Sequence, residues 1–251
     1  MESSHNMTKV YVTGLGFISS IGNSTAEVLD SLLHLRTGIE PFPPLAADNI
    51  PIKLAGTIKG FDTQSLDSED WTYPSEYKPS RNLLRNLSAH GLYCYCALTQ
   101  AIQSSGLRKE DISNERTGLY TASIGSVSSL RYHLNRIREV GADKISPKAV
   151  ISSVPGTLNF NFVAHLGIKG SSCGFVSACA SSGHALGSAG MRLYADVRIS
   201  CWSSGERMEI QTPFFLSQRC VHWPLDLIPR KRFVPLTRDG ADLSRPVEEW
   251  R

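Results

Sequence analysis

The sequence predicts an alternating α/β fold, and three stretches carry that prediction. An apolar run, Val10-Tyr-Val-Thr-Gly-Leu-Gly16, passes through a glycine turn into a capped amphipathic segment. A helical periodicity over residues 81–106 is followed by a strand-like run at 118–124 and a second helical stretch at 127–140. At 170–194 another apolar run leads into a cysteine, and small residues open a helix directly behind it.

Each element follows from local chemistry. Val10–Gly16 reads as a strand, and Ile21-Gly-Asn-Ser24 as its turn. Ser24 is a good N-cap, and Glu27 three residues on completes a capping box. Val28, Leu29, Leu32, Leu33 and Leu35 then fall near one helical face, which the periodicity assigns to the core, and Thr37-Gly38 ends the helix. Glu40-Pro-Phe-Pro-Pro44 marks a loop, with irregular connection and short strands to about Asp70. Arg81 to Gly106 reads as one long helix with Leu84, Leu87, Leu92, Ala97, Leu98, Ala101 and Ile102 on its inner side and Gly106 as C-cap. Gly118–Ile124 is a strand, Val127–Val140 a helix, and Ser181 to about Tyr194 a further helix before a strand at Asp196–Cys201.

Composition excludes several classes. The 251 residues, 41% hydrophobic, suffice for one substantial core or two small ones. No apolar stretch reaches the ~18 residues of a membrane span, and Met1-Glu-Ser-Ser-His-Asn6 lacks the regions of a signal peptide, with Met7 as an alternative start. Six dispersed cysteines fit a reduced, cytoplasmic chain better than a disulfide framework. Cys94 and Cys96 lie inside an apolar helical pattern on different faces, which assigns them to core packing and not to a metal. A net charge of +3 gives no footprint for nucleic acid, although Arg131, Arg136 and Arg138 lie on an exposed helix and Arg230-Lys-Arg232 forms a basic run. Gly14-x-Gly16 lacks the third glycine of a dinucleotide fingerprint, since Ser19 stands in its place, and no acidic residue follows at the right distance. The reading calls for no cofactor and no metal.

The chemistry concentrates at Cys179. A thiol at a helix N-terminus meets unpaired backbone N–H groups and the positive end of the helix dipole, which favour the thiolate, the reactive form. Ala178, Ala180, Ser181, Ser182 and Gly183 are small enough to let a bulky acyl group approach. A buried structural cysteine on a strand-to-helix turn is the competing reading of the same residues.

The stretch from Gly170 to Cys179 resembles the nucleophile segment of the β-ketoacyl-ACP synthases, which runs Gly-Pro-Ser and then Thr-Ala-Cys-Ser-Ser. Gly170 and Ser172 keep the start with Ser171 in place of proline, and Ser177-Ala-Cys-Ala-Ser-Ser182 keeps the rest at the same spacing. Val10–Gly16 with Ile21–Ser24 resembles the family's first strand and turn, and Ser146 through His165 its loop and helix before the nucleophile strand. The resemblance spans about Val10 to Val197. It implies the N-terminal half of a thiolase-like layered αβαβα fold, with the C-terminal half missing, and a domain at residues 7–197.

The same resemblance implies the reaction. The family forms an acyl-thioester on the cysteine and decarboxylates a malonyl-thioester, whose carbanion attacks the bound acyl group. Cys179 would be the nucleophile, with its own backbone N–H as one oxyanion donor. The family's two histidines, its lysine and the second oxyanion donor belong to the C-terminal half, and none of the seven histidines here sits in a resembling motif. His184 stands five residues beyond Cys179, a spacing that turns it away from the thiol. The chain alone is therefore expected to lack full turnover. The implied partners are an acyl carrier protein and a second copy of the chain or a full-length synthase. A non-catalytic partner of a full-length synthase and a degradative thiolase are the other readings.

Residues 198–251 form a divergent tail. Arg192-Leu-Tyr-Ala-Asp196 is shorter than the family's passage to its next strand, and Ser200-Cys-Trp-Ser-Ser-Gly205 lacks the glycine pair. Gln218 to Trp223 permits codons whose shifted frame reads Ala-Met-Arg-Ala-Leu-Ala, and Phe233-Val-Pro-Leu-Thr237 permits Arg-Pro-Phe-Asp in that frame. Both are family motifs at the family's spacing. A frameshift upstream of Gln218 accounts for the tail, and a divergent, selected tail is the alternative.

Overall fold

The computed structural model describes residues 10–46, 53–65, 67–123, 125–145, 153–194, 198–201, 210–211 and 214–217. The strands are β1 (Tyr11–Leu15), β2 (Ile18–Ser19), β3 (Ile39–Pro41), β4 (Leu54–Gly56), β5 (Thr117–Ala122), β6 (Ser172–Phe175), β7 (Arg198–Cys201), β8 (Ile210–Gln211) and β9 (Phe214–Ser217). The helices are α1 (Thr25–Leu33), α2 (Arg81–Leu84), α3 (Ala89–Ser105), α4 (Lys109–Ile112), α5 (Val127–Val140), α6 (Thr157–Leu166) and α7 (Ser181–Tyr194). The chain divides into a unit at Met1–Cys220 and a second at Val221–Arg251, which lies outside the described residues.

A five-stranded sheet in the order β1-β9-β7-β5-β6 organises the first unit. β5 is parallel to both β6 and β7, with Tyr120 opposite Cys173 and Cys201, whereas β9 runs antiparallel to β1 and β7. Every residue of β5 is buried, as a central parallel strand covered on both faces requires. Alternate side chains serve opposite faces. Leu119 joins α3 and α6 in one core, while Tyr120 and Ala122 pack on Ala185, Ala189 and Leu193 of α7. The described layers are therefore helix, sheet, helix.

Gly14 in β1 and Gly16 just after it are explained by α3. A Cβ on Gly14 would stand 2.2 Å from the Ala101 carbonyl oxygen, and one on Gly16 would stand 2.0 Å from that of Ala97. Gln100 fastens the same contact. Its Oε1 accepts from Phe17 N at 3.1 Å, and its Nε2 donates to Asn23 O at 2.7 Å and Tyr77 Oη at 2.6 Å. These glycines let a helix backbone lie directly on a strand. Cys94 and Cys96 are buried in the α3 core, and burial pushes the Cys96 thiol far above its usual range.

Three expectations are corrected. The helix over 81–106 is two helices, because Asn86 and Leu87 close tight turns onto Leu83 and Leu84 and Ser88 is extended at φ −83°, ψ 172°. Asn161 Nδ2 holds the break by donating to Asn86 O at 2.9 Å. The proline-rich loop contributes a short strand, β3, paired with β4, and a 3₁₀ turn at Pro43–Leu45. Half of the α1 capping box forms as expected, with Ser24 Oγ accepting from Glu27 N at 3.2 Å, whereas the Glu27 carboxylate accepts from Asn23 N at 2.7 Å, one residue before the cap. The apolar face of α1 is different: Val28 and Ser31 are buried, while Leu29, Leu32, Leu33 and Leu35 are exposed. The helix ends in a Schellman turn, Arg36 N donating to Ser31 O at 2.8 Å, with Leu35 at φ +54° where glycine is usual.

Candidate active site

β6 and α7 deliver Cys179 to the surface. The chain leaves β6 at Phe175, turns at 177–180, and enters α7 at Ser181, so the thiol precedes the first helical residue by two positions. Cys179 is exposed. Ala178, immediately before it, has φ +46°, a left-handed conformation that costs a residue with a Cβ about 1–2 kcal/mol. The turn thus holds strain beside the thiol, as sharp strand-to-helix elbows do.

Ser181 maintains that turn, a role the sequence reading missed. It is 4% exposed; its Oγ accepts from Ser177 N at 2.7 Å and donates to the Ala178 carbonyl at 2.8 Å. Ala180 N donates to Ser177 O at 3.0 Å, and His184 N to Ala180 O at 3.0 Å, which starts the helix. The only hint in the sequence was a serine two residues after the cysteine, and its small size suggested clearance and not clamping.

The helix behind the thiol has two contrasting sides. Ala185, Ala189 and Leu193 are fully buried against the sheet. Gly183, Gly187 and Gly190 meet open space where a Cβ would stand, and Leu186 and Met191 are exposed beside them. His184 is exposed on α7. Tyr120 stacks on Phe175 at 6.1 Å between ring centroids, and its hydroxyl lies 2.9 Å from Ser171 Oγ, which fixes the end of β6.

A separate polar cluster surrounds His90. Its ring nitrogens lie 3.0 Å from Ser88 Oγ and 3.2 Å from Ser123 Oγ, beside a cavity of about 10 Å³ lined by α3, α6 and the loop after β5. The ring keeps part of its surface open, yet its surroundings shed solvent, and burial pushes its pKa down to about 4. Cys179 is not among the residues of this cavity. Arg131 and Arg138 are exposed on α5, and Arg136 is half-buried with Nη1 3.4 Å from Glu139 Oε2. Arg230 and Arg232 lie outside the described residues.

The family described as "Beta-ketoacyl synthase, N-terminal domain" matches residues 7–196. The chain belongs to the β-ketoacyl synthase family. It is 32% identical over 185 residues to 3-oxoacyl-[acyl-carrier-protein] synthase 1 of Haemophilus influenzae, covering 73% of this chain and 42% of that protein. Its identity to the Escherichia coli K12 protein of the same name is 28% over 186 residues, covering 73% and 43%. The chain thus spans less than half the length of these relatives. A β-ketoacyl synthase from Burkholderia phymatum superposes with a TM-score of 0.67 at 17% identity, over 85% of this chain and 60% of that one. A type II polyketide ketosynthase, solved in complex with its acyl-carrier protein, gives 0.66 at 16% identity over 84% and 63%. The fold is thiolase-like, present as a partial domain.

Proposed function

We propose that the chain carries the acyl-accepting half of a β-ketoacyl synthase, with Cys179 as the nucleophile and its backbone N–H as one oxyanion donor. The observation that carries this reading is an exposed thiol on a strained turn, clamped by Ser181 and followed at once by a 14-residue helix. The Cys179 sulfur attacks the carbonyl carbon of an acyl-thioester, the carrier's thiol departs with the proton, and the acyl group stays on Cys179. Condensation with a malonyl-thioester needs the histidines and second oxyanion donor of the other half. Loss of one such donor alone typically costs about 2.7–4 kcal/mol. Acylation of Cys179 is the step assigned to this part of the fold.

Residues 7–197 form the synthase half in this reading, and 198–251 a tail from a shifted frame. Sequencing the gene from codon 180 past the stop tests the tail: a shifted frame continuing into the missing half supports it, and a clean frame with no remainder refutes it. The partner is an acyl carrier protein, for which exposed Arg131 and Arg138 offer complementary charge to an acidic surface. A second copy joins along β6, which is exposed and, among the described residues, paired only on its β5 side. The cytoplasm is the expected compartment; among the described residues no helix is long and apolar enough to cross a membrane.

The deciding experiment incubates the chain with an acyl-loaded carrier protein and maps adducts by mass spectrometry. Acyl mass on the Cys179 peptide, absent from Cys179→Ala, is expected. An unmodified Cys179 under conditions that acylate the Haemophilus relative would refute the nucleophile assignment and leave the non-catalytic partner reading in the lead.

A further inference from the structure

His90 stands between the start of α3 and the loop after β5, and it is bonded toward both. It is the second residue of α3, after the N-cap Ser88. An N-cap serine ordinarily turns its hydroxyl onto the first backbone N–H groups of its helix. Ser88 makes no such cap, and its Oγ lies 3.0 Å from His90 Nδ1 instead. On the other side the ring reaches Ser123, with Nε2 3.2 Å from Oγ. Ser88 and Ser123 are 6% and 4% exposed, so bulk water does not replace a partner that either hydroxyl loses. The positive end of the α3 dipole opposes a proton on the ring. Among the residues lining the cavity beside it, none other is titratable or charged. A neutral imidazole offers one donor and one acceptor nitrogen, one for each serine.

Ser123 joins that ring to the end of β6. It follows directly on β5, whose last residue, Ala122, is opposite Phe175. Its N–H donates to Phe175 O at 3.3 Å, one bond beyond the paired register. Its Oγ also accepts from Gly125 N at 3.1 Å, which ties the loop after β5 to the same hydroxyl. Phe175 ends β6 two positions before Ser177, whose N–H Ser181 clamps in the turn that presents Cys179. Two hydrogen bonds and a short run of chain therefore connect His90 to the elbow. We propose that His90 is a positioning residue for Cys179, acting through Ser123 on the end of β6. The inference rests on Cys179 as the nucleophile and adds a residue that holds its turn in place.

The test follows iodoacetamide labelling of Cys179 in the full chain by peptide mass spectrometry, with exposed Cys173 as the internal reference. His90→Leu fills the place of the ring without hydrogen bonds, His90→Gln puts an amide where Nε2 stands, and Ser123→Ala removes the link itself. His90→Leu and Ser123→Ala should each slow Cys179 relative to Cys173 by about fivefold, the net worth of one hydrogen bond read as a rate. His90→Gln should stay within about twofold of wild type by the same measure. The double variant of His90→Leu with Ser123→Ala should be no slower than either single one, because both break one line. An unchanged Cys179 rate in Ser123→Ala overturns the inference. So does a His90→Gln protein as slow as His90→Leu, or a slowing that Cys173 shares, since the ring is then merely structural. If His90→Leu does not melt cooperatively, Ser123→Ala and His90→Gln decide between the same outcomes. Incubating the wild-type chain with acyl-loaded carrier protein tests the underlying reading separately. Absence of acyl mass on Cys179 refutes the nucleophile assignment, while the labelling ratios still decide whether His90 positions the thiol.

Discussion

His90 should make the chain lose stability on mild acidification. Its pKa falls from the ordinary 6.5 to about 4 because burial penalises the imidazolium. Between those two values the unfolded chain binds a proton that the folded chain refuses. Stability therefore is present in full above pH 6.5, declines as pH falls, and has lost this contribution below about 4. At about 1.36 kcal/mol per tenfold change in proton affinity, the difference amounts to at most about 3 kcal/mol. A realistic loss is about 2 kcal/mol, since part of the ring surface is open. The perturbation is His90→Gln, which keeps a polar group near Ser88 and Ser123 and cannot titrate. Urea unfolding of both proteins between pH 7.5 and 4.5 isolates the effect. His133 and His165 are also lowered by burial and contribute to both curves equally. The variant should be less stable at pH 7.5, where the wild-type hydrogen bonds are intact, and the gap should narrow or reverse near pH 4.5. Parallel curves would show that His90 is not held neutral, and the reasoning about the cavity would fall.

Other outcomes are expected at single positions. Gly16→Ala puts a methyl 2.0 Å from the Ala97 carbonyl oxygen, so the strand must leave α3; a loss of roughly 3 kcal/mol in denaturant unfolding is expected, and less than 1 kcal/mol would refute the close contact. Leu35→Gly removes left-handed strain and an exposed leucine, raising stability by about 0.5–1 kcal/mol, as differential scanning calorimetry would register. Ser181→Ala orphans Ser177 N and the Ala178 carbonyl. It should cost about 1–2 kcal/mol and change the alkylation rate of Cys179, with exposed Cys173 as an internal control that does not respond.

The sequence was most readable where local chemistry and tertiary packing agree. Ser24 with Glu27, Gly106 at φ +67°, and the bounds Val127–Val140 and Ser181–Tyr194 all appear where caps and periodicity put them. The family resemblance rested on Gly170 to Cys179, whose strand–turn–helix context the structure reproduces. Periodicity failed where a partner determines the outcome. The leucines of α1 are apolar at helical spacing, and that pattern says a face is meant to be covered without saying by what. The break at Arg85–Ser88 was hidden because apolar spacing runs through it from Leu84 to Leu92 and outweighed the poor helix formers Asn86 and Ser88, and the bond from Asn161 that holds it comes from 75 positions away. The service of Gly14 and Gly16 to α3 is a long-range contact that no local window contains. Ser181 looked like one small residue among several, since a side-chain clamp on a turn has no periodic signature.

The two sides of α7 have a dynamic consequence. Three interior glycines in 14 residues burden a helix by about 1 kcal/mol each relative to alanine, and here their side of the helix meets open space. Among the described residues the Ala185–Leu193 side anchors it. α7 should therefore breathe readily when unaccompanied, and amide exchange along it should be fast compared with β5 or α3. Because Ser177 and Ala178 are tied to Ser181 in the first turn, each opening also dissolves the elbow that presents the thiol. The lifetime of the nucleophile's geometry is then the closed time of its helix, and thiol-labelling kinetics at Cys179 would serve as a clock for assembly.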